Sequence, residues 1–265
     1  MAFDKQADAL AADPSQQYFS AGLIEPSFLL VGNYIVVWWL APHIDNGIVS
    51  LILTSAFLAV ILYTVIISPV YIHKHDLQSR GLGPPSTFFI RTDNLMEGAK
   101  IFAGNVFILS ILILLAAWWK RPDVFLSLDW GALSLKFLIY FFSSLLQNLI
   151  FISYAFNIVY YSLPLTARIP HRVQTVVVIA SLFSLFHLPN WPMMILTMII
   201  GTVFTWHYYI HRNLFLMVCS QAIIGTLLHR VLEINMRIGP FYWDTDTYVI
   251  RKIVPGMAEL IGKSF

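Results

Sequence analysis

Residues 172–212 read RVQTVVVIASLFSLFHLPNWPMMILTMIIGTVFTWHYYIHR. Between the two arginines at its ends this stretch holds no Asp, Glu, Lys or Arg. A helix needs about 20 apolar residues to cross the hydrocarbon core of a bilayer. The run is too long for one such helix. At its middle lies Leu188-Pro189-Asn190-Trp191-Pro192. Proline has no amide hydrogen to donate and restricts the residue before it, so the helix breaks there. The run therefore predicts a helical hairpin, 173–188 and 191–211.

The same spacing of charges extends in both directions. No charged side chain occurs between Glu25 and Asp45, Asp45 and Lys74, Lys100 and Lys120, or Lys136 and Arg168. Arg212 to Arg230 is just long enough to span. These gaps predict further segments at 27–41, 48–72, 99–119, 131–162 and 213–232. The first is short and contains Gly32-Asn33, which suits a tilted or half-inserted helix. The fold class is an all-α polytopic membrane protein, a bundle of about seven transmembrane helices.

Composition agrees. Of 265 residues, 11% are charged and 58% hydrophobic, with a net charge of +2. Charged residues normally make up about a quarter of a soluble domain, so this chain cannot cover a water-facing surface. It also lacks the clustered basic face that phosphate neutralisation requires. The hydrophobicity rules out disorder. One cysteine, Cys219, excludes a disulfide framework and a Cys-based metal site.

Residues 1–26 form a polar segment without the basic and apolar regions of a cleavable signal peptide. Segment 27–130 holds accessory helices and the one sizeable loop, 73–97, with Lys74, Arg80 and Arg91. Residues 233–265 make a polar-aromatic tail of interfacial character. Short loops rich in Lys and Arg stay in the cytoplasm, which assigns the 73–97 side to it. The basic tail then falls on the other side, unless the first segment does not cross or the last one re-enters. Trp38-Trp39 and Trp118-Trp119 mark membrane–water boundaries.

Ionisable groups inside a membrane are costly and are functional candidates by default. All fourteen carboxylates, Asp4 to Glu259, lie at or outside the ends of the predicted spans. Carboxylate proton relays and general bases are thereby removed from the core. What remains inside is His187 with the amides Gln147, Asn148 and Gln221. At 1.5 Å per residue, Gln147, Asn148 and His187 all lie about 22 Å from the 163–172 loop. An amide–imidazole contact between antiparallel neighbours is expected. Gln221 lies only about 14 Å from the same face and needs tilt or a shifted helix start to join them.

Each candidate also has an ordinary structural reading. His187 beside Pro189 can be an interior histidine bonded to a freed carbonyl, a ligand to pigment, haem or metal, or part of a residual polar pocket. Gln147 and Asn148 can be interhelical glue worth about 0.6 kcal/mol each. His207 and His211 stand at i and i+4, a metal-compatible spacing. Their neighbours Trp206, Tyr208, Tyr209 and Arg212 assign them instead to an interfacial aromatic belt. His73 and His75 belong to the loop surface.

At these residues the chain resembles the CAAX-protease and bacteriocin-processing (CPBP) membrane proteins, whose active members are glutamic intramembrane peptidases. The family's second motif, Phe-x-x-x-His, is intact as Phe183-Ser184-Leu185-Phe186-His187. Its first, Glu-Glu-x-x-x-Arg, corresponds to Gln147-Asn148-Leu149-Ile150-Phe151-Ile152. Its third, His-x-x-x-Asn, falls on Gln221-Ala222-Ile223-Ile224-Gly225. The stretch from Gly201 to Arg212-Asn213-Leu214 is also similar. The resemblance implies a CPBP-like core over 131–232 and a site at Gln147, Asn148, Phe183, His187 and Gln221.

In the family, two Glu and a His activate the attacking water. General-base catalysis requires a group that takes up a proton near neutral pH. Gln147 and Asn148 are neutral amides, and Ile152 and Gln221 replace the arginine and the second histidine. The resemblance thus implies a degenerate, non-proteolytic member, with Gly225 letting backbones close over the old site. The expected role is a binding, scaffold or assembly subunit for other integral membrane proteins, within a larger complex in a bacterial inner membrane. Neither a cofactor nor a metal is expected. The alternatives are an active peptidase with non-standard residues, or a pigment- or haem-binding subunit that uses His187.

Overall fold

The computed structural model describes residues 31–40, 43–44, 46–72, 76–162, 168–236 and 238–239. Among them are seven helices and no strand. Helix α1 is described over 31–40 and ends in a π-helical turn, Ile35–Leu40. Helix α2 runs through Gly47–Leu62 and continues as π-helix over Tyr63–Ile72. Helix α3 spans Leu95–Lys120. Helix α4 comprises Trp130–Asn148, a π-helical segment Leu149–Ala155, and Phe156–Ser162. Then come α5, His171–Leu185, α6, Trp191–Ile210, and α7, Leu214–Arg230. The remainder of the predicted first segment, and His73 and His75, lie outside the described residues.

Among the described residues four stretches are long and apolar enough to cross a membrane: Gly47–Ile72, Leu95–Lys120, Trp130–Tyr160 and Trp191–Ile210. The chain is an integral membrane protein of all-α build. Seven spans were expected, but α5 and α7 are shorter apolar helices, at 15 and 17 residues. The hairpin turn consumes the last residues of the predicted 173–188 segment, and the backbone past Arg230 leaves helix early.

Side-chain caps fix where the helices begin. Asn46 accepts from the Ile48 and Val49 amides at 2.9 and 3.2 Å. Asp129 does the same for Gly131 and Ala132 at 2.8 and 3.0 Å. Asn190 caps α6 and Asn213 caps α7. Each oxygen satisfies amides that have no partner inside the helix.

Helices α5 and α6 pack as the expected antiparallel hairpin, and α7 lies between α4 and α3. The core gathers Phe102, Phe151, Phe156, Ile179, Phe204, Met217 and Val218. Phe151, at the start of the π-helical segment, packs edge-on to Phe186 with ring centroids 4.5 Å apart. That contact joins α4 to the hairpin turn.

The loop 76–94 is not the solvated basic loop its composition suggests. Arg80 is 1% exposed and donates from Nη2 to the Val65 carbonyl in α2. Burial without a carboxylate partner pulls its pKa down to about 10. Gly81 holds a left-handed backbone (φ +71°), and a Cβ there would stand 2.5 Å from the Tyr208 hydroxyl. Arg91 pairs with Asp93 at 2.8 Å and donates to the Arg212 carbonyl at 3.0 Å. Arg212 in turn donates to the Ser79 carbonyl at 3.0 Å. Asn213, fully buried, donates to the Arg91 carbonyl at 2.8 Å and to Asn94 Oδ1 at 3.0 Å. These bonds clamp the α2–α3 loop onto the α6–α7 turn.

On the opposite side, the chain beyond α7 turns back over the hairpin. Ile234 N donates to the Leu228 carbonyl at 3.0 Å. Asn190 Nδ2 donates to the Asn235 carbonyl at 2.7 Å, and Gly239 N to the Leu188 carbonyl at 3.2 Å. Ile234 and Met236 pack on the main core. The described start of the tail is thus a strap across the hairpin turn rather than a surface segment.

Candidate functional site

On α4, Lys136, Tyr140, Ser143 and Gln147 fall at i, i+4, i+7 and i+11, one face of an α-helix. The face looks toward α7, where Gly225 clears the way for the Tyr140 ring. A Cβ at Gly225 would meet that ring at 3.0 Å. Lys136 is buried, with its ammonium 5.1 Å from the Tyr140 ring centre. Its apolar stem covers helix surface while the charge finds an aromatic face.

One turn deeper stands a chain of amides. Gln221 Nε2 donates to Gln147 Oε1 at 2.7 Å. Asn148 Nδ2 donates to Gln221 Oε1 at 2.7 Å and to the Ser144 carbonyl at 2.8 Å. Gln147 Nε2 donates to Ser143 Oγ at 3.0 Å. Helix α7 starts at Leu214, only seven residues before Gln221, so a shifted start does not supply the depth that Gln221 needed. Both amide oxygens of Gln147 and Gln221 already accept a hydrogen bond.

His187 makes the contact to a freed backbone carbonyl that its place beside Pro189 suggested. Its ring nitrogen Nδ1 lies 2.9 Å from the Phe183 carbonyl, one turn back. That carbonyl is free because the helix tightens at its end: His187 N donates to Ser184 O at 2.9 Å instead. A carbonyl can only accept, so Nδ1 carries the proton and Nε2 presents a lone pair. Among the described residues Nε2 has no hydrogen-bond partner, and the expected amide–imidazole contact does not form.

A cavity of about 110 Å³ connects the two features, with Gln147 and Gln221 on its wall together with Phe183 and His187. Asn148 does not line it, but borders a smaller void of about 30 Å³ with Phe151, Ile152 and Gly201. Ile152, where the resemblance calls for arginine, is 4% exposed in this apolar corner. The close backbone approach expected at Gly225 brings in the Tyr140 ring but leaves the cavity open. Its volume is room for several waters. No Asp, Glu or Cys lines either space.

The arrangement binds and orients, but offers little acid–base chemistry. An amide neither takes nor gives a proton near neutral pH. The imidazole Nε2 is the one titratable acceptor on the cavity wall besides the Tyr140 hydroxyl.

Sequence reasoning missed Tyr140, Ser143 and Lys136, although their helical spacing with Gln147 was available. Met193, Thr197 and Met236, also on the cavity wall, carried no signal beyond apolar or small-polar character. At the His207 cluster the belt reading holds in part. Arg172 stacks on Trp206 with its guanidinium carbon 3.5 Å from the ring centre. Tyr208 and His211, however, turn inward and are buried, Tyr208 against Gly81 of the 76–94 loop and His211 beside Gly98 of α3. Among the described residues no group of three or more His, Cys, Asp or Glu side chains is placed to hold a metal.

Residues 129–227 fit the family described as type II CAAX prenyl endopeptidase Rce1-like. No curated protein and no solved structure matches the chain.

Proposed function

We propose that this chain, whose residues 129–227 fit the type II CAAX prenyl endopeptidase Rce1-like family, is a proteolytically inactive CPBP-like protein that binds or organises other integral membrane proteins. One observation carries the reading: Gln221 bridges Gln147 and Asn148 at 2.7 Å on either side. The groups at the family's glutamate and second histidine positions are spent on one another. A glutamate pair would repel, hold a proton and polarise water; three neutral amides close into a stable strip instead. The polar remnant then serves helix packing, and the apolar faces of α2 and α3 remain available to neighbouring membrane proteins and lipid. A bacterial inner membrane and membership of a larger complex are part of the same proposal.

A second reading, an active peptidase with non-standard residues, draws on the free His187 Nε2 at the cavity. The test is a reconstituted assay with prenylated CAAX peptides and small transmembrane substrates. The expected result is no cleavage above empty liposomes. Cleavage that disappears in His187→Ala establishes the peptidase and ends the inactive reading.

A further inference from the structure

The cavity has two chemically different ends. Counting along α6 and α7 from the face they share, Phe204 and Gln221 lie about 10 Å deep, whereas Met193 and Leu228 lie more than 20 Å deep. The amides occupy the first end. At the second are His187, on the hairpin turn, Met193, in the first turn of α6, and Met236, on the strap. The strap is held there on both sides of Met236. Asn235 accepts from Asn190, and Gly239 donates to Leu188, the residue after His187.

His187 is set up as metal-ligating histidines are. A backbone carbonyl fixes its tautomer through Nδ1, which leaves the other nitrogen unprotonated with a lone pair to offer. That nitrogen has no partner among the described residues, and the residue is 7% exposed. The wall of the same cavity carries two thioethers, Met193 and Met236, and no carboxylate or thiol. The amide oxygens of Gln147 and Gln221, at the other end, are committed to hydrogen bonds.

We propose that His187, Met193 and Met236 bind a single Cu(I) ion at the hairpin end of the cavity. Ligand softness selects the metal. Imidazole and thioether donors suit Cu(I), whereas Mg²⁺, Ca²⁺ and Mn²⁺ require oxygen ligands. Structural zinc takes four ligands drawn from thiolates, imidazoles and carboxylates, and only one of those is present. The ligand set is neutral, so a monovalent ion brings a single charge into the low-dielectric core, where a divalent ion would suffer a far larger desolvation cost. The site does not depend on whether the protein cleaves peptides.

The test uses the full-length protein in nanodiscs under anaerobic conditions, titrated against the coloured Cu(I)–bicinchoninate complex. The wild type is expected to withdraw one equivalent of Cu(I). His187→Ala and Met236→Leu should each weaken binding at least tenfold. Met236→Leu conserves volume, so its effect reports the lost sulfur rather than a lost fold. Met198→Leu and Cys219→Ala, which change sulfurs away from the cavity wall, should bind as wild type does. X-ray absorption of the loaded protein should show nitrogen and sulfur neighbours together. Failure to withdraw copper overturns the site, as does binding unchanged in either His187→Ala or Met236→Leu.

Discussion

Gln221 on α7 and Gln147 on α4 share a hydrogen bond of 2.7 Å across the helix interface, 74 residues apart in sequence. Because Gln221 also accepts from Asn148, one side chain ties down two. Gln221→Ala removes both bonds and strands two amides in a low-dielectric interior. Interhelical hydrogen bonds in membranes average about 0.6 kcal/mol, with a maximum near 1.7. A loss of about 1–3 kcal/mol is expected, measured by denaturant unfolding in bicelles. Gln147→Ala should cost less, since Asn148 keeps Gln221 occupied.

Restoring a single carboxylate does not restore chemistry. Gln147→Glu should show no proteolysis of prenylated peptides, because Asn148 and Gln221 still stand where a second glutamate and a histidine are needed. Turnover by Gln147→Glu alone would show that His187 and one carboxylate suffice.

Gly225→Ala places a methyl 3.0 Å from the Tyr140 ring. Tyr140 borders the cavity and can yield into it, so a destabilisation of about 1 kcal/mol is expected, at the low end for overpacking. Gly225→Leu overfills the space, and a melting series in detergent should show a much larger drop for it.

Asn213 combines three roles in one side chain. Its oxygen caps α7 at Leu216 N, 3.2 Å away, while its nitrogen serves Arg91 O and Asn94 Oδ1. Asn213→Ala should cost about 2–3 kcal/mol from the lost cap and unsatisfied carbonyl. Asn213→Asp keeps the cap but cannot donate to the carbonyl. A buried carboxylate then faces two acceptor oxygens, so this variant should cost at least as much as Asn213→Ala, and proteolytic nicking in 76–94 should rise in both variants.

Asp93 is held below its ordinary value of 3.8, first by its hydrogen bond to Arg91. A depressed carboxyl pKa means the native state favours the ionised form. The contribution is present above the ordinary value and disappears as pH falls below 3.8 through the native value. Asp93 is 52% exposed, so solvent screening limits the pair to no more than about 1 kcal/mol. The stability gap between wild type and Asp93→Asn should be flat at neutral pH, close in acid, and shrink in high salt.

Charge spacing made the helices legible, since an unpaired charge cannot sit in hydrocarbon and each gap measures a span. The bounds of α2, α3 and α6 follow from it within a few residues. The π-helical stretch Leu149–Ala155 was not legible, because a wider helical turn leaves no mark on a uniformly apolar run. Motif spacing brought Gln147, Asn148 and Gln221 together, whereas depth counting alone set Gln221 too shallow. Depth counting also led to an expected contact between His187 and Gln147, because it says nothing of rotation about the helix axis. Arg80 reads as a surface cation in any local window. Its burial depends on a carbonyl at Val65 and a roof at Tyr208, contacts that no short-range pattern encodes.

The clamp between loop 76–94 and the α6–α7 turn also sets a timetable for biogenesis. Arg91 meets its acceptor at Arg212 across 121 residues of chain. At roughly 5–20 residues per second of synthesis, the loop waits on the order of ten seconds with its partner unmade. Throughout that interval the loop's polar groups depend on water. Only when Asn213 leaves the insertion machinery can the first and last thirds of the protein be locked to each other.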